Sequence, residues 1–133
     1  MSEKTKIVIV DDDKDILKAL RVILENENYL VFDASNKKDG YEKIKSEKPD
    51  LAILDVMMDT MQDGFDLSKD IRKIPEFKNL PIILLTGIDN ETGVSFKSAF
   101  GITEMMPVDA YIEKPILPNI LLTEVKKLLS KKS

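Results

Sequence analysis

Three carboxylates, one hydroxyl and one ammonium group stand just past short apolar runs of this chain. Asp11 and Asp12 follow Lys6–Val10, Asp55 follows Leu51–Leu54, Thr86 follows Pro81–Leu85, and Lys114 comes two residues after Ala110–Ile112. A carboxylate at the end of a buried strand can be a metal ligand, a base or a nucleophile. Carboxylates brought together repel one another unless a cation neutralises them. Hard, all-oxygen ligands suit Mg²⁺ (or Mn²⁺), and Mg²⁺ binds through few carboxylates and keeps several waters. A lysine and a threonine hydroxyl opposite them would give a phosphoryl group a positive charge and a hydrogen-bond donor. Carboxylates are also nucleophiles that form aspartyl-phosphates.

These groups can meet only if the chain brings four strand ends together. The β-branched run Lys6–Val10 reads as a first strand, and Ile16, Leu17, Leu20, Ile23 and Leu24 follow at helical spacing. Tyr29–Asp33 reads as a second strand. A helix over Lys37–Glu47 turns Tyr41 and Ile44 inward and stops at Pro49. Leu51–Leu54 is the third strand; Leu67, Ile71 and Ile74 mark the helix after it, closed by Pro75. Pro81–Leu85 is the fourth strand. A helix over Glu91–Phe100 is weakened by the nearby Gly93 and Gly101. Ala110–Ile112 is the fifth strand, and Pro118 opens a last helix with Ile120, Leu121, Val125, Leu128 and Leu129 inward. Five strand–helix alternations imply an α/β, flavodoxin-like (βα)5 fold. Its five-stranded parallel sheet has order 2-1-3-4-5, with helices on both faces. In such sheets ligands bind at the carboxyl ends of the strands, where all the groups above would lie.

Composition narrows the chemistry further. With 133 residues, 43% apolar and 33% charged, the chain suits one globular domain over residues 1–133. Its net charge of −4 and lack of a basic block argue against direct nucleic-acid binding. Lys126, Lys127, Lys131 and Lys132 fall at a helix C-terminus, where cations suit the dipole. There is neither cysteine nor histidine, which removes thiolate and imidazole metal sites and Ser-His-Asp or Cys-His catalysis. No run is long enough for a membrane span and the first residues lack a signal-peptide core, so cytoplasm is the expected location. Met57, Met58, Met61, Met105 and Met106 read as core filler or a pliable surface rather than a soft-metal site.

Together, Ile7–Asp13, Leu54–Met58 with Asp63-Gly64-Phe65, Leu84–Gly87 and Tyr111–Pro115 resemble the receiver domain of two-component response regulators. The resemblance spans nearly the whole chain. It implies that Asp55 accepts a phosphoryl group from a sensor histidine kinase or a histidine phosphotransfer protein. It implies that Asp12 ligates Mg²⁺ directly, Asp11 mostly through water, and the Met57 carbonyl supplies another oxygen. Thr86 and Lys114 would hold phosphoryl oxygens, Lys114-Pro115 would be a cis peptide, and Tyr111 would turn when Thr86 moves. Output would pass to a downstream protein or a second copy through the face made by helix 4, strand 5 and helix 5. Two features depart from the family pattern: Asp59 stands where a proline is usual, in a loop about one residue longer than usual, and Thr86 to Tyr111 is several residues longer. A displaced fourth helix or an extended loop before it is therefore expected.

Taken singly, the same residues have plainer readings. Asp13 or Asp15 could cap a helix, but capping needs one acid, not a run. Thr86 could be a β-branched strand end and Lys114 a surface lysine; their joint placement at strand ends outweighs this. Among rival functions, an aspartyl-phosphate phosphatase of the haloacid-dehalogenase kind needs a second acid two residues past its nucleophile, where this chain has Met57. A flavin mononucleotide carrier needs a polar phosphate loop after strand 1, where three aspartates would repel phosphate. A pseudo-receiver has no need of Asp12, Asp55 and Lys114 together. The expected protein is thus a switched signalling module, either stand-alone or part of a longer regulator. It promotes its own phosphorylation and slow hydrolysis but is not a turnover enzyme.

The resemblance also places the residues two past Asp55 and two past Thr86 beside the path of the attacking water. Here they are Met57 and Ile88, and neither can orient a water. The phosphoryl group should therefore outlast that of receivers with polar residues at both places, as followed by loss of label over time. Met57→Asn or Ile88→Glu should alter the decay rate, and indifference to both would refute the argument.

Overall fold

The computed structural model describes residues 4–56, 63–87 and 108–132. The β-branched segment forms β1 (Lys6–Val10), buried from Ile7 onward. α1 (Lys14–Glu25) begins at Asp13, whose extended backbone and carboxylate cap the helix by accepting from the N–H groups of Asp15 and Ile16. Leu17, Leu20 and Leu24 are its buried stripe, with Ile16 and Ile23 half-buried beside them. β2 (Leu30–Ala34) lies one residue later than the expected Tyr29–Asp33. α2 (Lys37–Glu47) has the expected bounds; Asn36 caps it, and Lys48 ends it with φ 49° before Pro49. Ile44 is fully buried, whereas Tyr41 is half-buried with the Lys45 ammonium 4.7 Å from its ring centroid.

β3 (Leu51–Asp55) is buried throughout and includes the carboxylate itself. α3 (Asp63–Arg72) buries Leu67 and Ile71. Ile74, expected on this helix, lies beyond its end, and Pro75 opens a short 3-10 turn, Pro75–Phe77, instead of closing the helix. Proline suits the first position of a helical turn, where no N–H is needed. β4 (Ile82–Thr86) starts after Pro81, which has no N–H for the ladder but still accepts from Ala52 N–H at 3.0 Å. β5 (Ala110–Glu113) is followed by a C-terminal helix, Pro118–Lys132. That helix buries Leu121, Val125 and Leu128. Ile120, expected inward, is 46% exposed, because a 3.6-residue repeat through 121, 125 and 128 turns position 120 toward the rim. The helix expected at Glu91–Phe100 and the long connection around it lie outside the described residues.

The strands form one parallel sheet in the order β2-β1-β3-β4-β5. Alternate residues sort into two apolar layers. Ile7, Ile9, Leu51, Ile53, Ile83, Leu85 and Ile112 pack with α1 and the C-terminal helix. Val8, Val10, Ala52, Leu54, Ile82 and Leu84 pack with α2, α3 and the 3-10 turn. Both faces are covered, as a parallel sheet requires.

At the edge where β4 and β5 begin, Arg72 ties the end of α3 to the segments that lead into both strands. Its Nη1 donates to the carbonyls of Phe77 and Lys78, each at 3.2 Å, and to that of Leu80. Its Nη2 reaches Asp109 Oδ2 at 2.9 Å, and the same oxygen accepts from Ile82 N–H at 2.8 Å. Asp109 is 41% exposed, so the ion pair itself contributes little and the bonds to carbonyls carry most of the effect. Arg72→Ala should lower the free energy of unfolding by about 2 kcal/mol in urea titration, and Asp109→Ala by roughly half that. An unchanged urea midpoint for Arg72→Ala would show that the clamp holds nothing.

Candidate functional site

The site grows out of the sheet ladder. Beyond the assigned strands the backbone pairing continues: Asp11 N–H donates to Ala34 O at 3.1 Å, Val56 N–H to Leu85 O at 3.0 Å, and Lys114 N–H to Thr86 O at 2.7 Å. Because the pleat alternates, Asp11 follows Ile7 and Ile9, Asp55 follows Leu51 and Ile53, and Lys114 follows Ile112 on the layer facing α1 and the C-terminal helix. Thr86 follows Ile82 and Leu84 on the other layer, where Tyr111 also packs. The registers pair Thr86 with Glu113 and Leu84 with Tyr111, so Thr86 and Tyr111 are diagonal neighbours on one face.

Lys114 Nζ sits 3.3 Å from Asp11 Oδ2 and 3.4 Å from Asp55 Oδ1. Asp11 is fully buried and Asp55 nearly so, while Asp12 is exposed at the rim. Carboxylate oxygens of Asp11, Asp12 and Asp55 all lie within 4.8 Å of one another. Asp11 Oδ1 accepts from Asp13 N–H at 2.9 Å, which fixes its carboxylate. Its other oxygen is buried and accepts no hydrogen bond, so its contact with Lys114 is an ion pair without hydrogen-bond alignment. The Thr86 hydroxyl is likewise buried without a partner. Buried polar atoms are nearly always satisfied, so a Thr86 hydroxyl with no partner among the described residues at this strand edge calls for a ligand. Three carboxylates facing one ammonium leave an excess of negative charge, and their oxygens are the donors a hard divalent cation takes. The residues therefore fit Mg²⁺.

The Lys114–Pro115 peptide bond is cis. Tyr111 is half-buried, and burial pushes its phenol above the ordinary tyrosine value. Met57, whose carbonyl was expected among the metal ligands, and Ile88 lie outside the described residues. Sequence reasoning left one contact unread. Gly64, in the first turn of α3, lies so close to the end of β3 that a Cβ there would stand 2.0 Å from the Asp55 carbonyl oxygen. The available signals were a glycine in a helical pattern after an acid-ended strand and its place in the Asp63-Gly64-Phe65 motif.

Comparisons with known proteins bear on the family and fold of the chain. The family model of the response regulator receiver domain matches residues 7–126. The alkaline phosphatase synthesis transcriptional regulatory protein PhoP of Bacillus subtilis is 35% identical over 124 residues, covering 93% of this chain and 48% of that protein. The regulatory protein VanR of Enterococcus faecium is 38% identical over 124 residues, 93% of this chain and 49% of that protein. The chain thus spans about half the length of these two relatives. Among solved structures, a CheY-like response regulator receiver domain protein from Methanospirillum hungatei superposes with a TM-score of 0.81 at 31% identity, covering 97% of this chain and 96% of that one.

If the carboxylates form a cation site, Mg²⁺ should stabilise the folded chain by mass action. At ten times the dissociation constant the gain is about 1.4 kcal/mol, or roughly 4–6 °C in Tm for a domain of this size. Asp12→Ala should remove most of that increment. A melting curve indifferent to Mg²⁺ up to tens of millimolar would contradict the site.

Proposed function

The chain belongs to the response regulator receiver domain family, and on that premise we propose that Asp55 is its phosphoryl acceptor. The observation that carries this reading is the ion pairing of buried Asp55 and Asp11 with the single ammonium of Lys114 at the C-terminal edge of the sheet. The donor is the phosphohistidine of a sensor histidine kinase or of a histidine phosphotransfer protein. A carboxylate oxygen of Asp55 attacks phosphorus; the new P–O bond forms as the P–N bond breaks, and the imidazole nitrogen keeps the electron pair and takes a proton from solvent. Lys114 is already beside the attacking carboxylate and moves its charge onto the phosphoryl oxygens. The unpaired hydroxyl of Thr86 donates to another of those oxygens.

Asp12, Asp11, Asp55 and the Met57 carbonyl would hold Mg²⁺ or Mn²⁺. Bound there, the ion neutralises charge shared between the carboxylates and the incoming phosphoryl group. The chain's own groups meanwhile orient the acceptor and exclude water. Asp11 is held by Asp13 N–H, and Asp55 is held by its pairing with Leu85 of β4.

Phosphorylation then acts as a switch. A charged acceptor draws the Thr86 hydroxyl toward it, because a charge-assisted hydrogen bond is stronger than a neutral one. Tyr111 shares the face of Thr86 and turns into the space released. The surface changed in this way is made by β5, the C-terminal helix and the helix expected before β5. It binds a downstream protein or a second copy of the chain. The module spans residues 1–133, works in the cytoplasm, catalyses its own phosphorylation and slow hydrolysis, and turns over no separate substrate. No helix among the described residues is long and apolar enough to cross a membrane.

Incubation with Mg²⁺ and acetyl phosphate should add one base-labile phosphoryl group, seen by intact-mass spectrometry. Asp55→Asn should carry none. Equal labelling of the variant would remove Asp55 from the acceptor role.

A further inference from the structure

The first turn of α3 rests on backbone, not on side chains. A Cβ at position 64 would lie 2.0 Å from the Asp55 carbonyl oxygen, 2.7 Å from its carbonyl carbon and 2.7 Å from Val56 Cα. No rotamer change can relieve contacts with main-chain atoms. Gly64 N–H also donates to Val56 O at 3.0 Å, so helix and strand end are bonded at the point of closest approach. On its other side the same stretch is fixed by Val56 N–H donating to Leu85 O at 3.0 Å. The Asp55–Val56 peptide is thus clamped between α3 and β4.

We propose that Gly64 is a positioning residue for the Asp55 carboxylate: its missing side chain lets α3 close on the Asp55–Val56 peptide and hold Asp55 against Lys114. The proposal rests on the reading of Asp55 as acceptor. A side chain at 64 has two ways out. Either α3 lifts and loses the bond to Val56 O, or the peptide rotates and carries the Asp55 Cα–Cβ bond with it. Both release the restraint that keeps Asp55 Oδ1 3.4 Å from Lys114 Nζ. Gly40 is different, because a Cβ there would meet the methyl groups of Val10 and Leu67, which belong to side chains and to the apolar layer.

The alternative is that the close approach serves only to seat the helix. Arg72→Ala separates the two, since Arg72 anchors the opposite end of α3 and its loss weakens the fold without touching the Asp55 peptide. At a temperature where both variants are folded, Gly64→Ala should accept label from acetyl phosphate about ten- to a hundredfold more slowly than wild type, as misplacement near 1 Å allows. Arg72→Ala should label at the wild-type rate. Equal slowing of both variants, or wild-type labelling of Gly64→Ala, overturns the positioning role. A wild-type chain that takes no label, or labels equally as Asp55→Asn, instead sinks the acceptor reading on which it rests. Should Gly64→Ala fail to fold, the coupling can be read in the wild type. Loading with Mg²⁺ and beryllofluoride, a mimic of the phosphoryl group, should slow hydrogen exchange at the Gly64 amide, because coupling between two sites is reciprocal. Exchange at Gly64 that ignores the mimic also overturns the proposal.

Discussion

Two carboxylates buried at a sheet edge are held there by one ammonium group, and much of the molecule follows from that arrangement. An ionised carboxylate taken out of water loses hydration that only a partner of opposite charge can replace. Lys114 lies between Asp11 and Asp55 and shares one positive charge between two carboxylates. The fold therefore leaves a local excess of negative charge, with the exposed Asp12 adding to it. Such a site is poised to take a cation. It also leaves Asp55 beside Lys114, the group proposed to hold the phosphoryl oxygens. Strand pairing tolerates this because the backbone bonds of Asp11, Val56 and Lys114 stay satisfied beyond the strands.

Pleat parity divides the labour at that edge. The charged residues Asp11, Asp55 and Lys114 continue the layer toward α1 and the C-terminal helix, while Thr86 and Tyr111 continue the layer toward α2 and α3. On the proposed function, a change of charge on one face passes to the other through Thr86, whose hydroxyl has no competing hydrogen bond among the described residues. A threonine already bonded elsewhere would have to break that bond first. The missing partner is what makes the residue available.

Much of this was legible in the sequence, for a physical reason. Strands buried on both faces must be continuously apolar, so the change to Asp or Thr at Asp55 and Thr86 announces where each apolar run, and with it each strand, ends. The 2-1-3-4-5 order, which fits five strand–helix units, is the order observed. Capping by Asp13 was among the two expected choices and is realised. Errors gathered where tertiary packing overrides local pattern. Ile120 was placed inward because it is apolar, but three residues of the same helix already fill the contact with the sheet. Pro75 was read as a stop, yet the same missing N–H that ends one helix suits the start of a 3-10 turn. The Arg72 clamp joins residues 37 positions apart, a separation that no local window can see.

The contact at Gly64 was hidden for a different reason. Sequence signals report side chains, whereas this contact consists of the absence of one. Its meaning depends on how closely α3 approaches β3, and that distance is set by the packing of α3 in its apolar layer. Leu67 and Ile71 draw the helix onto the sheet, and the drawn-in first turn then reaches the Asp55 carbonyl. A smaller residue at either position would relax the approach and with it the hold on the Asp55–Val56 peptide. The geometry of the site is thus inherited from the core, and the charged edge needs no rigid scaffold of its own.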